Sequence, residues 1–202
     1  MSADKNDSVF SMIKLGLILA IYAAVSCTVL AVVNNFTASK IKANQENKIN
    51  LSMKEFFPEE GLTFENVTDF EKSSDSTISI EKVIIAKKDG KIAGGAVQVS
   101  GPTYDKATVL VGLNSDFTVS GVNFLEITDS PGFGSKAKDP SFKLESGETF
   151  YGQFKGKNAK DGFITNETFD AISGATITSN GVAKLLSEGT STLIKYFEKQ
   201  GE

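Results

Sequence analysis

The chain has 202 residues, 40% hydrophobic and 23% charged, enough for one folded domain and a short appendage. Its formal net charge of -4, with no basic patch, excludes a partner held by nucleic-acid phosphates. Histidine is absent and Cys27 is the only cysteine. That excludes His-ligated metals, disulfides and iron–sulfur clusters, so any redox chemistry requires an organic cofactor.

Residues 15–33 carry no charge, and the stretch is long enough to span a bilayer as a helix. It is too long for a usual signal-peptide core and no small-residue cleavage site follows, so it reads as a retained N-terminal membrane anchor. Lys5 and Lys14 precede it, whereas Lys40, Lys42 and Lys48 follow. That count mildly favours the bulk of the chain inside, but large domains cross membranes largely regardless of charge. The expected division is a tail at 1–14, an anchor at 15–35, a helical connector at 36–58 and a domain at 59–202. Pro58 should end the connector or fall just beyond it.

A charged, Ser-rich patch at 71–76 reads as a surface loop. Residues 77–86 and 91–99 alternate as strands around a turn at Lys87-Lys88-Asp89-Gly90. Gly101-Pro102 is expected to break the pattern. Residues 108–113 and 118–127 read as further strands. Four sequential strands with tight turns predict an α+β fold with a mainly antiparallel sheet and packed helices. Neither GxGxxG nor a Walker sequence is present, so a Rossmann site and a P-loop are unsupported. Beyond Asp129 the chain is irregular and glycine-rich. Val182, Leu185, Leu186, Leu193, Ile194 and Phe197 then share one face of a closing amphipathic helix.

The sharpest feature is Asp170-Ala171-Ile172-Ser173-Gly174-Ala175-Thr176, followed by Ile177-Thr178-Ser179. Ser173-Gly174 suits a tight turn, and Thr178 or Ser179 suits the cap of the helix that follows. Thr176 then lies at or just before a helix N-terminus, where a phosphate would meet free N–H groups and the positive end of the dipole. Read without further context, the same residues also describe a plain loop and cap.

The segment resembles the D-x-x-S/T-G-A-T flavinylation signal of the FMN-binding domain family. That family is shared by two redox pumps, the Rnf-type ferredoxin:NAD+ oxidoreductase and the sodium-translocating NADH:quinone reductase. The resemblance implies that Thr176 carries FMN through a phosphoester, attached by a flavin transferase that uses FAD. It also implies that Asp170, Ser173, Gly174 and Ala175 form the signal read by that transferase, and that Ser173, Gly174, Ala175 and Thr178 belong with Thr176 to the cofactor-binding residues. A weaker likeness joins Asp129-Ser130-Pro131-Gly132-Phe133-Gly134 to the family's E-T-P-G-L-G loop beside the flavin. It marks Ser130, Pro131, Gly132, Phe133 and Gly134 as flavin contacts, with a ligand-free glycine turn as the plain alternative. The histidine often found upstream in relatives is missing.

A compact chain without a long insertion resembles the Rnf G subunits more than the quinone-reductase C subunits. The resemblance implies an electron-transfer subunit in the cytoplasmic membrane, with its flavin domain on the outer face. Its partners would be membrane and peripheral subunits of a complex that moves Na+ or H+, and the chain alone would not turn over. Two other readings use the same residues. A hydrolase with Thr176 or Ser173 as nucleophile lacks a histidine base, and a non-redox membrane-tethered binding module would bind no flavin.

Overall fold

The structure, a computed structural model, describes residues 3–201. Helix α1 runs from Ala3 to Phe56, five strands follow, and helix α2 (Thr176–Gly201) closes the chain. Two units are present, Met1–Asn47 and Lys48–Glu202.

In the first unit, α1 is uncharged and apolar all round over residues 15–33, and Leu15, Leu19, Tyr22, Val29 and Leu30 are each more than half exposed. A helix with no polar stripe and no protein cover suits a hydrocarbon environment. Among the described residues this one helix is long and apolar enough to cross a membrane.

The second unit is built on a sheet of β1 (Thr63–Val67), β2 (Ser79–Lys88), β3 (Lys91–Pro102), β4 (Lys106–Asn114) and β5 (Val119–Ile127). The strands lie in sequence order and every neighbouring pair is antiparallel. The α+β architecture matches the expectation from the sequence. Alternate side chains point to opposite faces of a strand, and here both faces are covered. Val83, Ile85, Val97, Val99, Val109 and Val111 meet Leu185, Leu186 and Leu193 of α2. Ile84, Ala86, Ala96, Leu110 and Leu125 meet Ile49, Met53, Phe56 and Phe57. The spacing of Ile49, Met53 and Phe56 puts them on one stripe of the last turns of α1. Phe56 sits so close to the sheet that a Cβ at Gly112 or Gly121 would overlap its ring. Pro58 falls just beyond the end of α1, as expected.

Three local expectations need correction. A fifth strand, β1, precedes the four read from the sequence; four of its five residues are exposed, so it carries no burial alternation. It forms because β2 offers an edge, from Thr63↔Lys87 to Val67↔Val83, reinforced by the Lys87–Glu65 ion pair at 2.5 Å. Gly101-Pro102 does not break β3, which pairs through Gly101↔Ala107 and Pro102↔Lys106. A proline is tolerated there because the pairing with β2 ends at Ser79↔Ser100, which leaves Pro102 an edge position with β4 alone beside it. Thr178 and Ser179 do not cap α2, which starts two residues earlier, at Thr176.

The Ser-rich patch is a loop, as expected, and it is strapped to α2. Lys195 pairs with Glu71 at 2.8 Å, Lys184 pairs with Asp75, and Glu188 accepts from Ser73 Oγ at 2.7 Å. Between β5 and α2 the chain has only short 3-10 turns, organised by Phe150, Phe154, Phe163 and Phe169.

Candidate functional site

Three segments far apart in sequence converge beside the N-terminus of α2. They are the β3–β4 turn, the loop leaving β5, and the loop entering α2. Together they line a cavity of about 590 Å³ with Tyr104, then Ser130, Pro131, Phe133 and Gly134, then Gly174, Ala175, Thr176, Ile177 and Thr178. Most of the sequence-predicted site residues thus meet at one place. Gly132 is in the same loop but does not line the cavity; its φ of +79° shapes the turn in which Phe133 N–H donates to Ser130 O at 3.3 Å.

The loop before α2 is held rigidly. Gln153, itself buried, accepts from the Asp170 N–H at 2.7 Å and donates to the Asp170 carbonyl at 3.1 Å. Ile172 is fully buried, and its N–H donates to Ser179 Oγ at 3.0 Å, which in turn donates to the Ala175 carbonyl. The chain then reverses through Ser173-Gly174, closed by Ala175 N–H to Ile172 O at 2.9 Å. Gly174 has φ +76°, a conformation glycine adopts without a Cβ penalty. That reversal splits the motif. Asp170 and Ser173 are exposed and line a separate polar groove with Lys143, Glu145 and Asn166, while Gly174, Ala175 and Thr176 face the cavity.

Thr176 is exposed at the first position of α2, and its hydroxyl makes no hydrogen bond among the described residues. The N–H groups of Thr176, Ile177 and Thr178 likewise have no acceptor there. A helix leaves its first N–H groups unsatisfied, and they favour an anion. Around them stand three large side chains with unusual exposure: Tyr104 at 66%, Phe133 at 59% and Ile177 at 61%. Free amides beside a broad apolar rim suit a ligand with both a phosphate and a flat ring system, as FMN has.

Asp129 lies under this cavity, 3% exposed. Its carboxylate accepts from Thr103 Oγ1 at 2.6 Å, Asp105 N–H at 2.9 Å, Tyr104 N–H at 3.3 Å and Thr178 Oγ1 at 2.5 Å. The contact with Thr178 is why that residue is buried within the first turn of α2. Gly134 is pressed against the same group, and a Cβ there would overlap Thr178 Oγ1 and Asp129 Oδ2. Burial pushes the Asp129 carboxyl up, but the hydrogen bonds from Thr103, Thr178, Asp105 and Tyr104 outweigh it and hold the group below its ordinary value of 3.8. A lowered folded-state value means stability that is present above the ordinary aspartate range and lost as pH falls through the folded value. The wild-type urea midpoint should therefore drop more steeply between about pH 5 and pH 3 than that of Asp129→Asn. Parallel slopes would show that Asp129 contributes nothing to acid sensitivity.

Tyr104, Ile177, Asp129 and Thr103 were not among the residues singled out as the site from the sequence. Asp129 and Ile177 had a signal, Asp129 as the acidic residue opening the Pro-Gly loop and Ile177 as the residue directly after the seven-residue motif; Tyr104 and Thr103 had none.

Residues 103–191, which contain every residue lining the cavity, match the family described as FMN-binding domain. Residues 1–55 match the RnfG N-terminal region. The chain is 33% identical over 188 residues to the G subunit of the Na(+)-translocating ferredoxin:NAD(+) oxidoreductase complex of Acetobacterium woodii, covering 84% of this chain and 85% of that one. This chain belongs to the family of Rnf G subunits. Two further relatives are named as G subunits of ion-translocating oxidoreductase complexes. That of Shewanella oneidensis is 30% identical, over 86% of this chain and 85% of its own length. That of Cereibacter sphaeroides is 28% identical, over 86% and 80%. The resemblance read from residues 170–179 therefore extends along most of the chain. Its FMN-binding domain carries the cavity, and its N-terminal region carries the apolar helix.

Proposed function

We propose that this chain is the electron-carrying G subunit of an ion-translocating ferredoxin:NAD+ oxidoreductase, with FMN bound covalently to Thr176. The observation that carries this reading is the exposed, uncommitted Thr176 hydroxyl at the start of α2, inside a cavity with free amides and an apolar rim. Attachment is a phosphoryl transfer from FAD by a flavin transferase. Thr176 Oγ forms the new bond to the FMN phosphorus, the anhydride bond to the AMP half breaks, and AMP leaves with the hydroxyl proton. Asp170 and Ser173, exposed on the other side of the Gly174 turn, supply the face that the transferase reads.

Once bound, the flavin supplies one- and two-electron transfer, which links donors and acceptors of different kinds. This chain's residues hold and shield it. The N–H groups of residues 176–178 would hold the phosphate, and Tyr104, Phe133 and Ile177 would shield the ring from water. Ser130, Pro131 and Gly134 close the remaining wall. No acid–base pair is required of this subunit. Electrons arrive from and leave to other membrane and peripheral subunits, and the complex moves Na+ or H+.

The anchor lies at 15–35, the connector at 36–58, and the flavin domain at 59–202 faces outward from the cytoplasmic membrane. Co-expression with a flavin transferase, a denaturing gel read by fluorescence and an intact mass test the attachment. For sidedness, protease added to spheroplasts should remove the domain, and protease added to inverted vesicles should leave it whole. The reverse pattern would place the domain inside.

A further inference from the structure

The Asp129 carboxylate joins all three walls of the cavity. Thr103, Tyr104 and Asp105 donate from the β3–β4 turn, Thr178 donates from α2, and Asp129 itself begins the loop of Ser130–Gly134. Tyr104, Ser130, Gly134 and Thr178, its direct neighbours by bond or contact, all line the cavity. All four of its donors are neutral hydroxyl or amide groups, and among the described residues no lysine forms an ion pair with it. A fixed negative charge therefore sits one layer beneath the space assigned to the flavin, where low dielectric screens it poorly.

We infer that Asp129 is a positioning residue that sets the walls of the flavin site and, through a carboxylate charge that no lysine neutralises, lowers the reduction potential of the flavin held there. This rests on the reading of the cavity as the FMN site. Reduction adds negative charge to the site, and a buried carboxylate next to it opposes that addition. The same four hydrogen bonds that keep the carboxylate ionised keep the three walls in register, so charge and geometry are set by one side chain. A neutral residue of the same shape would keep part of the geometry and lose the field.

The test uses the full chain co-expressed with a flavin transferase and purified in detergent, with the bound flavin titrated by spectroelectrochemistry. Asp129→Asn should carry flavin at a potential shifted upward from wild type. Asp129→Glu, which restores the charge, should return towards the wild-type potential. If the amide variant does not fold, Asp129→Ser reads the same charge removal with a smaller side chain. A neutral variant with the wild-type potential, or a lower one, overturns the inference while leaving the flavin site standing. A folded neutral variant that takes up no flavin also overturns it, because the carboxylate would then be needed for loading. Wild-type protein without flavin fails the underlying reading instead.

Discussion

Thr176→Ala should give a non-fluorescent band of unmodified mass after co-expression with a flavin transferase, while wild type gives a fluorescent band carrying one FMN less one water. The structure separates Thr176 from the other hydroxyls near it. Thr178 is 1% exposed, and its hydroxyl is committed to Asp129. Ser179 is fully buried and occupied by Ala175 and Ile172. Ser173 faces the other groove. Ser130 also lines the cavity, but from the loop after β5 and not from the first turn of α2. Thr176 is exposed and its side chain makes no hydrogen bond among the described residues, so its truncation should change stability by no more than about 0.5 kcal/mol. Loss of flavin would therefore report lost attachment and not a lost fold, and an unchanged thermal melt of the apoprotein checks this. Thr176→Ser should retain some label, because it keeps the attacking hydroxyl. A fluorescent Thr176→Ala band would move the attachment point elsewhere, with Ser130 the next residue to test.

Phe154→Ala should be the most destabilising single truncation in the region between sheet and helix, by about 3–5 kcal/mol. Phe154 is completely buried. Its ring meets Phe150 edge-on at 5.5 Å between centroids, Phe163 edge-on at 5.8 Å, and Phe169 tilted at 5.1 Å. Edge-to-face pairs contribute roughly 0.5–1.5 kcal/mol each beyond the area they bury. Residues 150–169 have no helix longer than a 3-10 turn, and apart from backbone bonds to the start of β5, such as Gly156 N–H to Val119 O at 2.8 Å, this ring cluster is what orders them. The effect should also reach the site, because the neighbouring Gln153 holds both backbone groups of Asp170. Urea unfolding should show a lower midpoint with an unchanged slope, and flavin loading should fall with it. A shift below about 1 kcal/mol, well under the range for such truncations, would show that the surroundings collapse around the lost ring and that Phe154 does not organise this region.

The parts legible in the sequence are those written over short spans. An uncharged run long enough for a bilayer identifies the apolar part of α1. Alternation around Lys87–Gly90 identifies β2 and β3, and the spacing of Val182, Leu185, Leu186 and Leu193 identifies the buried face of α2. Thr176 was legible because a tight turn and a helix start are local chemistry, and because the seven-residue motif resembles a known signal. β1 was not, since an exposed five-residue strand owes its form to the edge of β2. The continuation of α1 into a core-packing stripe at Ile49, Met53 and Phe56 was also missed. That face gains meaning only when the glycines at 112 and 121 let Phe56 settle on the sheet. Likewise Thr178 reads as a cap in sequence, but in the fold its hydroxyl turns to Asp129, 49 positions away.

By itself, then, the sequence determined the apolar N-terminal helix, the antiparallel core of the sheet, the closing helix and the residue proposed to bear the flavin. Each rests on periodicity, composition or a local turn, which need no partner from elsewhere in the chain. The tertiary structure alone decided that Tyr104, Ser130, Pro131, Phe133, Gly134 and Gly174–Thr178 share one cavity, that Asp170 and Ser173 face a separate groove, and that Asp129 binds the cavity walls together. Those facts depend on hydrogen bonds and packing between segments brought together by the sheet, and such long-range pairing leaves no periodic mark on the residues that make it.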